Sequence, residues 1–232
     1  MKSLPNSLFL CLLLTACSGG GGDNGPVIVR VNDIPITLTE FEKELEFQLT
    51  YTNIVAEVEE RSPGQYTLDE VKARVINDRL IPFAAVRHAF RDSIPALMKK
   101  AKAIRSEIKE DKSNFAALSA EHSTPSVARS KGRLGFFGRG SSLPYPLPQI
   151  AFAMEAGSVS EPFVSVVGCY IVYVKKIEKG TTDALDRLEA AIILLPFGDE
   201  ADFIQKTLPD LVAKARVEVV DPSMAAHVRK RE

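Results

Sequence analysis

The sequence predicts an α+β fold. Apolar residues recur at helical spacing in both terminal thirds of the chain, capping signals open the N-terminal stretches, and the middle carries short β-branched runs between glycine turns. The 232 residues are enough for one large domain or two small ones, at roughly 100–200 residues each.

In chain order, residues 27–31 are a short β-branched run, followed by the turn Asn32-Asp33-Ile34-Pro35. Thr39-x-x-Glu42 has the form of a capping box. Phe41, Leu45 and Leu49 then repeat at i, i+4, i+8, a stripe extended by Val55 and Val58. Ser62-Pro63-Gly64 stops that helix. Thr67-x-x-Glu70 opens a second, with Leu68, Val71, Val75 and Leu80 as its buried stripe, and Pro82 ends or kinks it. Residues 83–90 fit a helix end or a short strand equally well.

From Pro95 the stripe Leu97, Ala101, Ile104 and Ile108 predicts a helix. Residues 115–118 predict a shorter one closing at Glu121-His122-Ser123. The glycines from Gly132 to Gly140 place turns around a brief strand. A proline-rich loop over 143–148 leads into an amphipathic piece through Phe152 and Met154. Residues 164–167 and 170–174 predict a hairpin across Gly168. In the tail, Leu185, Leu188, Ile192 and Leu195 predict a helix. A second follows through Phe203, Leu208, Leu211 and Val212, interrupted by Pro209, and residues 217–220 predict a final strand.

The N-terminus reads as an export signal. Met1-Lys2-Ser3 precedes the apolar run Leu8 to Leu14, which is shorter than the roughly 20 residues a membrane span needs. The run ends in Leu14-Thr15-Ala16-Cys17, the pattern of a bacterial lipobox, so cleavage before Cys17 and lipid attachment to it are expected. Several acyl chains on one residue anchor stably where a single chain is marginal. Ser18 to Pro26 is a glycine-rich tether that cannot bury a core. Ser18 is not the aspartate that retains some lipoproteins in the inner membrane. The expectation is therefore a periplasm-facing lipoprotein of the outer membrane, or an external one where the host has a single membrane. Cys11 leaves with the signal and Cys17 carries lipid, so Cys169 has no disulfide partner; its strand-like flanks make it a small buried hydrophobe.

The net charge of −1, with both signs interspersed, gives no basis for nucleic-acid binding, and three scattered histidines give none for a metal site.

Four segments in order resemble the parvulin-type peptidyl-prolyl isomerase family. They are Asn114-Phe115-Ala116-Ala117-Leu118-Ser119-Ala120-Glu121-His122-Ser123, the glycine motif Gly132-Arg133-Leu134-Gly135-Phe136-Phe137-x-Arg139-Gly140, the run from Ile150-Ala151-Phe152 to Ser160-Glu161-Pro162, and Gly168-Cys169-Tyr170-Ile171-Val172. The flanks are similar to SurA-like and PrsA-like foldases: Val31 to Phe41 resembles their opening segment and Leu208 to Pro222 their closing helix and strand. This resemblance implies a parvulin-like domain, a small antiparallel sheet with surrounding helices, over 83–178. It also implies a helical chaperone lobe in which segment 27–82 packs with segment 179–232, behind a signal peptide over 1–16 and a tether over 17–26.

Prolyl isomerisation must lower an amide rotation barrier of about 18–20 kcal/mol. An apolar pocket that strips water from the twisting amide, and donors placed where charge develops, would do so. Carried over residue by residue, the resemblance puts the first of two strand histidines at His88 and the second position at Tyr170, with Ser165 as a supporting hydroxyl. The family's Cys or Asp falls at Pro125, and Arg133 replaces the aspartate of its glycine motif. Leu134, Leu143, Leu147 and Phe152 are the expected substrate-binding residues. No cofactor or metal is implied, and the expected partners are unfolded or proline-containing polypeptides. The expected activity is that of an anchored isomerase and foldase for exported proteins with a degenerate polar centre. A non-catalytic holdase or assembly lipoprotein using the same groove is the alternative.

Overall fold

The computed structural model describes residues 25–58 and 67–230. The signal segment, Cys17 and the Ser62-Pro63-Gly64 stop lie outside the described residues, as do the side chains of Val55 and Val58. No helix among the described residues is long and apolar enough to cross a membrane.

Strands β1 (Val27–Val31) and β2 (Ile34–Thr37) form an antiparallel hairpin. Its turn uses Asn32 at φ 54, a left-handed conformation that asparagine tolerates. Helix α1 (Leu38–Val58) follows directly. Its capping box is Thr37/Glu40, two residues before the expected one: the Thr37 hydroxyl accepts from the Glu40 amide at 3.2 Å and the Glu40 carboxylate accepts from the Thr37 amide at 2.9 Å.

The Thr67/Glu70 box opens α2 (Leu68–Arg74) as expected, although Leu68 is exposed while Val71, Val75 and Leu80 are buried. A π-helical stretch over Val75–Leu80 leads into α3 (Ile81–Ala89), with Pro82 in its first turn. The widened turn accommodates a residue that lacks an amide hydrogen. Residues 83–89 are therefore helix and not the strand that the resemblance implies.

Helices α4 (Ile94–Ser106), α5 (Phe115–His122) and α6 (Pro125–Arg129) precede β3 (Arg133–Gly138). Then come α7 (Leu147–Phe152), β4 (Phe163–Val164) and β5 (Gly168–Glu178). The next element corrects the sequence reading. Leu185, Leu188, Ile192 and Leu195 were expected on a helix, yet Arg187–Pro196 is a strand, β6. After it come α8 (Glu200–Asp202), a π-helical turn, α9 (Leu208–Lys214) and β7 (Val217–Val219).

Two antiparallel sheets result, ordered β2-β1-β7 and β3-β6-β5-β4. In the second, Leu188, Ala190, Ile192 and Leu194 of β6 join Tyr170, Val172 and Val174 of β5 in one core. Ala191, Ile193 and Leu195 join Cys169 and Ile171 beneath α4 and α5 in another. With both faces covered, β6 is apolar at nearly every position, and such a run is indistinguishable by period from a buried helix. Where β3 no longer flanks β6, hydroxyls complete its backbone bonding: Ser119 donates to the Ile192 carbonyl at 2.8 Å and Ser123 accepts from the Leu194 amide at 3.0 Å. Gly132 meets the same strand at φ +77, and a Cβ there would stand 2.3 Å from the Ile192 carbonyl oxygen.

The first sheet packs with α2, α3 and the chain end over a separate core containing Val29, Ile76, Ile81 and Met224. The Asn77 amide donates to the His227 carbonyl at 2.7 Å, and Arg216 and Asn32 exchange two bonds between tail and hairpin. N- and C-terminal segments thus pack together, but in a mixed lobe built on a three-stranded sheet and not in a purely helical one.

Helix α1 joins this lobe to the four-stranded sheet. Glu44, 1% exposed, accepts from Gln48 at 2.7 Å and from Gln149 of α7 at 2.6 Å. Burial pushes its carboxyl up to about 7, against the lowering effect of those bonds and of Arg79. The folded protein therefore holds a proton there that the unfolded chain releases above the ordinary glutamate range. The stability linked to this group is complete at low pH, declines as pH rises, and levels off above about 7. Glu44→Gln should remove that decline and raise stability at pH 8 by about 2–4 kcal/mol. Chemical denaturation of both proteins across the pH range checks the difference.

Candidate functional site

The residues that the resemblance singles out converge only in part. Tyr170 lies on β5, 2% exposed, its ring stacked on Phe163 with centroids 5.9 Å apart. Its cross-strand partner is Leu194 of β6. Burial, and then the Glu200 carboxylate, push the phenol well above its usual range, so it is a neutral hydroxyl at physiological pH. Ser165 is fully buried in the turn between β4 and β5; its hydroxyl accepts from the Val167 amide at 3.3 Å and its amide donates to the Gly168 carbonyl at 2.8 Å. Its observed bonds serve the turn.

His88 stands elsewhere. It rides on α3, half exposed, and its Nδ1 pairs with Asp33 in the turn of the β1–β2 hairpin. Arg91 reaches the same Asp33 carboxylate at 2.6 Å and the His88 ring at 2.9 Å. The bond from His88, more than the charge of Arg91, holds the Asp33 carboxyl below its ordinary range. The strand placement implied for His88 is thus corrected. Residues 83–89 are helical, the strand beside β5 is β6, and β6 presents Leu194 and not an imidazole to Tyr170.

Sequence reasoning missed a carboxylate. The segment Ser123-Thr124-Pro125-Ser126 carries no acid of its own, but Glu200, in the first turn of α8, accepts from the Thr124 hydroxyl at 2.9 Å and also from Ser126. The side chain comes from 76 residues along the chain, delivered because β6 ends at Pro196 beside this segment. No local motif marks it. The polar centre near Tyr170 therefore consists of hydroxyls and one glutamate.

The apolar residues share one cluster with Tyr170. Leu147 is fully buried, and Leu134 and Leu143 are half-buried against the cluster. Phe152 is committed internally. Its ring contacts Phe137 edge-on at 5.9 Å and Phe47 of α1 at 6.0 Å, and the Arg139 guanidinium lies 4.7 Å from it and 5.1 Å from Phe47. Tyr51 of α1 covers Gly140 so closely that a Cβ there would fall 2.1 Å from its ring. The lobe's helix therefore lies over the Phe152 side of the expected groove. Cys169 is buried with its thiol pushed up to about 12 by burial, near the Met98 sulfur at 3.5 Å, as an inert core residue would be.

Residues 82–176 match the model of the PPIC-type PPIase domain. Three proteins named foldase protein PrsA are similar to the chain. The one from Halalkalibacterium halodurans is 35% identical over 109 residues, 47% of this chain and 31% of that protein. The one from Bacillus subtilis is 28% identical over 127 residues, 54% and 42% respectively. The one from Oceanobacillus iheyensis is 31% identical over 116 residues, 47% and 38%. The similarity thus spans less than half the length of each of these relatives. Over residues 82–176, with four ordered motifs that help build the antiparallel sheet, the chain carries a parvulin-type domain similar to the PPIC-type PPIase family.

Proposed function

We propose that the chain is a foldase for exported proteins, tethered to a membrane through lipid on Cys17, whose parvulin-type domain binds polypeptide segments and isomerises prolyl bonds only weakly. The observation that carries this reading is the pairing of Tyr170 with Leu194 inside an apolar cluster that includes Leu134, Leu143 and Leu147. An apolar surface can desolvate an Xaa-Pro amide, and loss of water alone lowers the rotation barrier somewhat. Further acceleration needs a donor aimed at developing charge. The groups close to that surface are the neutral Tyr170 phenol and the Thr124 and Ser126 hydroxyls, the latter two already donating to Glu200. Holding a chain needs only the apolar contacts, and such binding is broad and weak. The foldase names of the similar proteins, the export signal and the lipobox support the extracytoplasmic setting.

An NMR-exchange assay on Xaa-Pro peptides should give rates near those in solvent, while the protein still suppresses aggregation of an unfolded client. Fast exchange that His88→Ala abolishes would instead restore the imidazole to the mechanism. Cys17→Ser should move the protein from the membrane to the soluble fraction on sedimentation; a mutant that stays with the membrane would exclude the lipid anchor.

A further inference from the structure

On the face of the four-stranded sheet opposite Tyr170, a cleft of about 420 Å³ opens between α5, the start of β3 and β5. Its rim carries Lys112, Arg129, Lys131, Arg133 and Lys175, and no acidic residue lines it. The floor is aromatic: Phe115 and Tyr173 have ring centroids 5.5 Å apart.

This concentration of charge is local, because the chain as a whole has a net charge of −1. Some exposed cations elsewhere have carboxylate partners, as in Lys206–Asp202, Lys214–Asp210 and Arg105–Glu161, while none of the cleft's five does. Among the described residues, the side chains of Arg129, Lys131, Arg133 and Lys175 have none, and Lys112 reaches only the Glu110 carbonyl. Like charges around a concavity repel one another and focus a positive potential into it.

The backbone adds a second cost. Lys112 and Lys131 hold φ of 58 and 53, and they are two of the three described non-glycine residues in that region. Lysine has no preference for this conformation, unlike asparagine or glycine. Lys175 falls at the register shift in the β5–β6 ladder between Val174 and Lys176, where a bulge re-aims a side chain. Bonds at the end of α6 hold the Lys131 turn, the Lys131 amide donating to the Ala128 carbonyl and the Gly132 amide to the Val127 carbonyl, each at 2.9 Å, and an anion held between the side chains would offset their mutual repulsion.

The shape decides what kind of anion. A cleft of this size takes several side chains, more than a lone inorganic ion requires. Phe115 is only 3% exposed and Tyr173 is the partly exposed aromatic of the floor, which a flat lipid surface resting on the rim would not reach. We propose that the cleft binds an acidic segment of an extended client polypeptide. Its carboxylates would meet the Arg129, Lys131 and Arg133 rim, and an apolar side chain would cover the exposed part of Tyr173.

This inference rests on the reading of the chain as a polypeptide-binding foldase, and its test separates the two. Fluorescence anisotropy on the full chain would compare a labelled peptide alternating Glu and Leu with the same peptide carrying Gln for Glu. The wild type should prefer the acidic peptide, with affinity falling as salt rises. The variant Lys131→Asn/Arg133→Gln, in which asparagine suits the left-handed position, should lose roughly five- to tenfold in affinity for the acidic peptide. It should suppress aggregation of an unfolded client lacking acidic runs as well as the wild type does. Lys175→Gln supplies an independent reading should the double variant melt early. Equal affinity for both peptides, unchanged binding by both variants, or association with phosphatidylglycerol vesicles in place of peptide would overturn the cleft assignment. Loss of aggregation suppression in the wild type, with acidic-peptide binding intact, would overturn the foldase reading and leave the cleft standing.

Discussion

The pairing of β5 with β6 is the constraint on which the rest of the structure depends. The ladder runs from Gly168↔Pro196 to Glu178↔Arg187, and residues 168–172 and 190–195 are buried on both faces. Each face nucleates a core: Tyr170, Val172 and Leu194 on one side, Ile171, Ile193 and Leu195 on the other. Burying so many backbone amides is tolerable only if each finds a partner. That requirement explains features otherwise scattered along the sequence. Ser119 of α5 and Ser123 just past its end bond the β6 backbone where β3 stops, and Gly132 is the residue whose missing side chain lets the chain approach the Ile192 carbonyl.

The same pairing sets the character of the site. Because the strand beside Tyr170 comes from the tail, it brings Leu194 where an imidazole was expected, and its end delivers Glu200 to Thr124 and Ser126. β6 lies beyond the 82–176 span that matches the family model. The motif-bearing segment therefore supplies three of the four strands of its own sheet. His88, freed from a strand, ties α3 to the hairpin turn at Asp33, and the lobe's α1 occupies the Phe152 side of the groove through Phe47, Tyr51 and Glu44. An apolar binding surface with a muted polar centre follows from that rearrangement.

Much of this was legible in the sequence wherever the signal is local. The Thr67/Glu70 box, the α4 stripe through Ala101 and Ile104, the hairpin across Gly168 and the inert Cys169 each depend on a few neighbouring residues. Period failed at residues 187–196, because a strand covered on both faces loses its alternation. Motif carry-over failed at His88, because a matching tripeptide says nothing about which segment fills the neighbouring strand. Glu44, Glu200 and Phe47 were invisible for a third reason: their partners, Gln149, Thr124 and Phe152, are distant in sequence.

The completion of the sheet by the tail can be tested by comparing the full chain with one ending at Glu178, both followed by near-ultraviolet circular dichroism through thermal unfolding. The account predicts that the shortened chain, lacking β6, shows no fixed aromatic signal and no cooperative transition. A shortened chain that unfolds cooperatively, with its tyrosine signal intact, would mean that residues 83–90 can supply the missing strand, and the assignment of β6 to the centre of the sheet would be contradicted.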